Sequence, residues 1–253
     1  MKEIKEAMSI LRARWPEAVV IVSLYALIDA VPRLLRSAAT DPRKGTVWYF
    51  VPLILLIIAT VLKYGFLRTV HLDGRQRQTI PTLYYAGRKF FSRIVGYGLI
   101  YSICYCVLIW LAFLAIKHLA SIETSLLGTM KSSPSLFLLC VTVPTVVLIK
   151  IQLLVPAIIL VRDCGLFESF KSLRKRKLLD SKALVALFCL SLVLTVIWGL
   201  ARVRLAPDGI LLYVASSIYA IGTQVLWIII AVAAVRFVGA LELADAATPP
   251  PPL

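Results

Sequence analysis

The sequence contains few charged residues and very little histidine. Charged side chains make up 16% of its 253 residues, and only two positions are histidine. A soluble domain of this length carries about 25% charged residues, because its surface has to be polar. The low charge, together with a hydrophobic content of 60%, predicts a chain that is largely embedded in a membrane.

Acidic residues are scarcer than basic ones, with 13 Asp and Glu against 28 Lys and Arg and a net charge of +15. A basic chain can bind nucleic acid, but such domains do not contain uncharged apolar runs of about 20 residues. We therefore expect the basic residues to set the membrane topology and to attract anionic phospholipids. No nucleic-acid partner is expected.

Cysteine and histidine are too few and too scattered to suggest a metal, haem or hydrolytic site. The cysteines number five and have no zinc-ligand spacing, so neither a disulfide framework nor a metal site is expected. His71 and His118 lie outside the predicted spans, which leaves a membrane haem without axial ligands. No predicted span pairs a serine with a histidine. We expect no catalytic residue, no metal and no cofactor.

Long apolar segments define the fold class. A hydrocarbon core of about 30 Å is crossed by about 20 apolar residues in a helix. Six segments qualify: 17–34, 48–67, 94–116, 136–161, 183–200 and 210–237. The sequence therefore predicts an all-α, polytopic membrane bundle with six spans in residues 17–238. An amphipathic interfacial helix in 1–16 precedes it, and a disordered, proline-rich cytoplasmic tail in 239–253 follows.

The distribution of Lys and Arg predicts the orientation. Most of them fall on one side of the predicted spans, and the positive-inside rule places that side in the cytoplasm. Both termini are then cytoplasmic, and the absence of a targeting sequence favours the inner membrane of a prokaryote. This assignment counts Lys63 with the inner residues and leaves Lys150 as the one lysine within a span.

Two inner connections, termed elbows here, have similar patterns. In the first, residues 80–94 form an apolar stripe at helical spacing, beside the basic pair Arg88-Lys89. In the second, residues 166–178 do the same, beside the basic run Arg174-Lys175-Arg176-Lys177. The pattern favours interfacial helices whose cations bind lipid headgroups over plain basic loops.

The elbows follow similar corners, which suggests an internal repeat. One corner is Asp73-Gly74, and the other is Asp163-Cys164-Gly165. The run 155–172 around the second corner resembles the glycerophosphodiester phosphodiesterase membrane-domain family, in which a proline-containing span ends at an acidic residue and glycine before an amphipathic helix. The likeness covers about residues 50–200 and implies the fold of the membrane half. The family's soluble catalytic barrel is absent.

Four polar residues within the predicted spans are candidate binding residues, since polar groups in a bilayer are costly. They are Lys150, Gln152, Asp29 and Gln224. One hypothesis is a binding site for a substrate, a proton or a headgroup at the midplane. The other is structural: Asp29 pairs with Arg33 one turn on, and the glutamines hydrogen-bond between helices.

Aromatic residues near the predicted span ends are explained by interfacial anchoring. They are Trp15, Trp48, Tyr49, Tyr64, Tyr97 and Tyr101. Glu17 is expected to stay hydrated at the inner interface.

Three functions fit these patterns. The favoured one is a non-enzymatic membrane scaffold or accessory protein that engages anionic lipids or a cytoplasmic partner through its basic elbows; a protein partner or a homo-oligomer is also expected as a possible assembly. The second is a small transporter or permease with a polar site around Lys150. The third is a lipid-headgroup enzyme at the inner surface, using the carboxylates of Asp73, Asp163 and Glu168.

Overall fold

The computed structural model describes residues 2–38, 50–120, 134–174, 182–204 and 210–247. In these ranges the chain forms eight α-helices and no strand. They are α1 Lys2–Ala13, α2 Trp15–Ala38, α3 Phe50–Asp73, α4 Ile80–Ala120, α5 Pro134–Arg162, α6 Leu166–Arg174, α7 Lys182–Arg204 and α8 Ile210–Ala247. The predicted all-α class is confirmed.

Four of the described helices are long and apolar enough to cross a membrane. Their qualifying segments are Phe50–Asp73, Ile80–Ala115, Leu139–Arg162 and Ala215–Ala244. Helices α2 and α7 contain shorter apolar stretches, Trp15–Ile28 and Leu184–Trp198. Length and composition therefore support four spans directly, at four of the six predicted positions.

Helices α3 and α4 form a hairpin that depends on two glycines. A Cβ atom on Gly65 would overlap the Leu83 carbonyl, and one on Gly87 would overlap the Val61 carbonyl. Small residues let two membrane helices approach until their backbones touch. At the connecting corner the Gly74 amide donates to the Val70 carbonyl at 3.1 Å, with Gly74 in the left-handed region at φ 58°. Glycine adopts this conformation without a Cβ penalty and ends α3.

The first elbow does not form a helix of its own. Residues 80–94 are the first turns of α4, a continuous helix of 41 residues. Between Pro81 and Ala120 no proline interrupts the helix, and Gly87 is buried against α3 rather than placed in a turn. The predicted separate interfacial helix at this position is wrong, because nothing in the sequence stops the helix before the span.

The second elbow is a separate short helix, α6, but its buried side differs from the predicted stripe. Ser169, Ser172 and Leu173 are buried, whereas Phe167 is 85% exposed. The positive φ also falls at a different place in the two corners, on Gly74 in the first and on Asp163 in the second, at 52°. The two elbows are therefore not equivalent structures.

The helices at the two ends of the chain pack against each other. Helix α1 is docked on the bundle through buried Ala7 and Ile10, and its Glu6 pairs with Arg236 of α8. Helix α8 continues to Ala247, so the first part of the predicted tail 239–253 is helical, and only residues 248–253 lie outside the described part.

Helix α1, both corners and the end of α8 meet at one end of the bundle, which we term the basic end. Arg68 of α3 donates hydrogen bonds there to the Leu160 carbonyl and, at 3.2 Å, to the Val161 carbonyl. The last carbonyls of a helix have no intrahelical donor, so this guanidinium caps α5. The basic end is thus held by side-chain contacts between helices distant in sequence.

Candidate functional site: a lysine-containing cavity

A cavity of about 340 Å³ lies between α2, α3, α4, α5 and α8. We term it the Lys63 cavity. The polar side chains that line it are Tyr25, Lys63, Tyr64, Tyr97, Tyr101, Gln152 and Gln224. Volumes of this order hold small organic molecules, and their sites typically combine an apolar wall with a few polar groups.

Among the described residues that line the cavity, only Lys63 is charged. Its ammonium lies 5.7 Å from the ring centroid of Tyr25 and 5.8 Å from that of Tyr64. In the described ranges it makes no hydrogen bond or ion pair, and no acidic residue lines the cavity. Cation–π contacts offset only part of the cost of removing an ammonium from water. Among the described residues, the cavity therefore contains a cation and no carboxylate to pair with it.

The tyrosines of α4 face α5 and connect the two helices. The Tyr101 hydroxyl donates to Gln152 Oε1 at 3.2 Å, and the Tyr97 hydroxyl donates to the Ile151 carbonyl at 3.4 Å. One turn further on, Tyr105 contacts Thr145 Oγ1 at 3.0 Å. Tyr64, Tyr97 and Tyr101, for which the sequence predicts interfacial anchoring, all line the cavity.

Proline shapes the α5 wall of the cavity. Pro156 lies one turn after Gln152, and both line the cavity. Proline has no amide hydrogen, so it cannot donate the usual helical hydrogen bond to the Gln152 carbonyl. At this turn the α5 backbone therefore lacks one internal hydrogen bond, close to the Gln152 carboxamide.

Two of the four predicted midplane residues meet in the cavity. Gln152 and Gln224 line it, whereas Lys150 is partly buried elsewhere on α5 and is not among its lining residues. Asp29 belongs to α2, but its side chain lies outside the described part of the structure. The lysine of the cavity is Lys63, which the charge count had assigned to the inner connections.

Two of the cations in the predicted elbow region pair with an acidic residue of the protein. Lys89 and Arg93 both bind the Asp163 carboxylate, Arg93 at 2.7 Å, so Lys89 is engaged within the protein. The hydrogen bond from Lys89, followed by that from Arg93, holds the pKa of Asp163 below its usual range. Arg88 and Arg174 are exposed. Lys175, Arg176 and Lys177 lie outside the described residues.

The carboxylates proposed for headgroup chemistry are not gathered into a site. Asp163 binds the two cations of α4, and Asp73 accepts a hydrogen bond from Gln78 at 3.2 Å. Among the described residues no three His, Cys, Asp or Glu side chains lie close enough to hold a metal ion.

Glu17 is not hydrated as expected, because it belongs to a buried charge cluster at the start of α2. Its side chain is 5% exposed and pairs with the fully buried Arg14 at 2.5 Å. Arg14 also donates to Thr69 Oγ1 at 2.8 Å and lies over the Phe66 ring. Glu17 Oε1 accepts a hydrogen bond from the backbone amide of Gln78 at 2.6 Å. The cluster fastens the α1–α2 junction to the α3–α4 hairpin.

Comparison of the chain with protein-family models, with curated proteins and with solved structures gives no match.

Proposed function

We propose that this protein is a small permease-type membrane protein that binds an organic anion in the Lys63 cavity. The observation that carries the proposal is the ammonium of Lys63, which lies in a cavity between the helices and has no carboxylate partner among the described residues. An ionisable residue within a membrane span is costly and marks ligand or ion pathways more often than it contributes to packing. A carboxylate or phosphate brought by a ligand would supply the missing negative charge.

The remaining lining residues favour a ligand that is only partly polar. Gln152, Gln224 and the tyrosine hydroxyls offer neutral hydrogen-bonding groups near the charge. Trp227, Leu160 and Val235 provide an apolar wall. A small carboxylate with a short hydrocarbon chain matches both parts, and octanoate is a suitable probe.

Octanoate is expected to raise the melting temperature of the protein in phosphatidylcholine nanodiscs at neutral pH. A ligand at about 100 times its Kd stabilises the state that it binds by about 2.7 kcal/mol. Lys63→Met should abolish this shift, because it removes the cation that pairs with the carboxylate. The measurement is thermal unfolding followed by intrinsic fluorescence over a range of octanoate concentrations.

Two controls make the result specific. Octanol and octyltrimethylammonium have the same chain without the negative charge, and neither should produce the shift. Lys150→Met removes a lysine that does not line the cavity and should preserve the response to octanoate. Equal shifts with all three compounds, or an unchanged octanoate response in Lys63→Met, would contradict the proposal.

A second candidate, the engagement of anionic lipid, is favoured by exposed groups at the basic end. Arg88, Lys171 and Arg174 are exposed, and Phe167, on the same short helix as Lys171 and Arg174, is 85% exposed. A cation next to an exposed aromatic ring is typical of surfaces that contact lipid headgroups. Binding of a cytoplasmic protein or a second copy through this surface belongs to the same candidate.

Replacing Arg88, Lys171 and Arg174 together with glutamine is expected to reduce the enrichment of phosphatidylglycerol around the protein. Each basic residue near an anionic surface contributes about 1 kcal/mol, so removing three of them should lower the enrichment by up to about 100-fold. The measurement is mass spectrometry of the lipid that copurifies from mixed phosphatidylglycerol–phosphatidylcholine vesicles. Lys117→Gln, at the opposite end of α4, is the control, and equal enrichment in both variants would exclude this candidate.

The proposal also includes the number of membrane spans and the orientation of the chain. Helices α2 and α7 would complete the six spans, with both termini and the basic end in the cytoplasm of a prokaryote. Their lengths of 24 and 23 residues support this, because about 20 residues suffice to cross the hydrocarbon core. The resemblance to the glycerophosphodiester phosphodiesterase membrane-domain family would imply the same architecture.

A further inference from the structure

A second cavity, of about 490 Å³, lies at the basic end of the bundle. We term it the vestibule. Its charged and titratable lining residues are Glu6 of α1, His71 of α3, Arg162 of α5, and Arg236 and Glu242 of α8. Arg162 pairs with Glu242 at 2.5 Å, and Arg236 pairs with Glu6 through both its Nε, at 2.8 Å, and its Nη2.

On three helices, the lining of the vestibule begins within one turn of the lining of the Lys63 cavity. On α3 the lining passes from Leu67 of the cavity to His71 of the vestibule, one turn on. On α5 and α8 it passes between adjacent residues, from Leu160 to Val161 and from Val235 to Arg236. The two spaces are therefore consecutive.

A layer of apolar side chains separates the two spaces. Leu67, Leu160 and Val235 are almost completely buried, and none of the lining residues given for either cavity belongs to both. Along these three helices, the apolar layer and the guanidinium groups of the vestibule lie between the basic end and Lys63.

We infer that the vestibule is a second anion-binding site, in which Arg162 and Arg236 hold the acidic group of a ligand while Glu6 and Glu242 act as displaceable counterions. Side chains of both ion pairs are a quarter to a third exposed, so water reaches them. Pairs that water reaches contribute little to stability and can exchange one carboxylate for another acid. Guanidinium groups bind carboxylate and phosphate through two parallel hydrogen bonds.

The inference rests on the proposed function in one respect, namely that the vestibule precedes the Lys63 cavity on the way from the basic end. Its test uses a different probe and a different readout. His71 is a natural reporter, because its ring packs against Gly239, where a Cβ would come within 3.2 Å of it. The chain has only two histidines, and His118 is exposed in the last turn of α4. Histidine labelling therefore gives one signal from the vestibule and one internal control.

Inorganic phosphate, titrated against chloride at constant ionic strength, is expected to move the nuclear magnetic resonance signal of His71 with saturation and to leave that of His118 in place. The sample is the full chain in phosphatidylcholine nanodiscs. Glu6→Gln and Glu242→Gln each free one arginine and should lower the apparent Kd by about three- to ten-fold. Arg162→Gln combined with Arg236→Gln should remove the saturable shift.

Phosphatidylglycerol nanodiscs without added phosphate identify the source of the acid. A shift of His71 in these discs, with none caused by phosphate, assigns the site to a lipid headgroup; the reverse assigns it to a soluble anion. A shift that does not saturate, that appears equally at His118, or that survives in the double arginine variant overturns the inference. Lys63→Met separates the two proposals, since the vestibule requires the His71 shift to persist whether or not octanoate still binds.

Discussion

Gly87→Ala is expected to destabilise the protein by about 2–4 kcal/mol, because overpacking of a tight contact costs about 1–3 kcal/mol and here the obstacle is backbone. The added Cβ would overlap the Val61 carbonyl, so α3 and α4 would have to move apart along their whole contact. Gly65→Ala should have a similar effect through the Leu83 carbonyl. The measurement is the melting temperature and the fraction of monodisperse protein after extraction in a mild detergent.

Gly98→Ala on the same helix is the matched control. A Cβ at Gly98 meets nothing within 4 Å, so only the helix propensity changes, and that favours alanine by up to about 1 kcal/mol. The control should therefore be as stable as the unchanged chain or more so. Equal melting temperatures for Gly87→Ala and Gly98→Ala would show that the two helices do not touch at this crossing.

Glu17→Gln is expected to destabilise the protein by about 3 kcal/mol or more. The substitution keeps the shape of the side chain but removes the charge that compensates Arg14, which is fully buried. Breaking a buried ion pair by removing one partner typically costs about 3–5 kcal/mol. Arg14 Nη1 already lacks a hydrogen-bond partner in the described structure, so the arginine has no alternative acceptor at that atom.

The double variant Arg14→Met, Glu17→Gln should recover much of the lost stability, since no uncompensated charge then remains. Glu168→Gln, on the exposed side of α6, is the control and should change the melting temperature little. A double variant less stable than Glu17→Gln alone would mean that the contact of the Arg14 guanidinium with the Phe66 ring outweighs the cost of its unpaired charge.

Periodicity and composition predict the helices themselves, because an apolar segment of about 20 residues has few alternatives to a membrane helix. They also locate Gln152 and Gln224, since polar groups in such segments stand out. Lys63 was detectable by the same criterion, because it lies within the predicted span 48–67. Because the charge count placed Lys63 among the inner cations, it was not considered as a polar residue within a span.

Contacts between distant segments were beyond this kind of prediction. Nothing local to Lys89 shows that Asp163 will neutralise it, and nothing local to Gly87 shows that it faces Gly65. The spacing of Tyr97, Tyr101 and Tyr105 does place their hydroxyls on one face of an apolar helix, where each needs an acceptor. That spacing was the available signal for the α4–α5 interface.

The unbroken length of α4 has a mechanical consequence. Its 41 residues form a rod of about 60 Å, and its close crossing with α3 at Gly87 lies near one end. A tilt of about 5° about that crossing would displace the far end by roughly 4 Å, given a rise of about 1.5 Å per residue. The Tyr97, Tyr101 and Tyr105 hydroxyls would move progressively further from α5. A small tilt of α4 away from α5 would thus widen the Lys63 cavity, and it would do so most at the end far from Gly87.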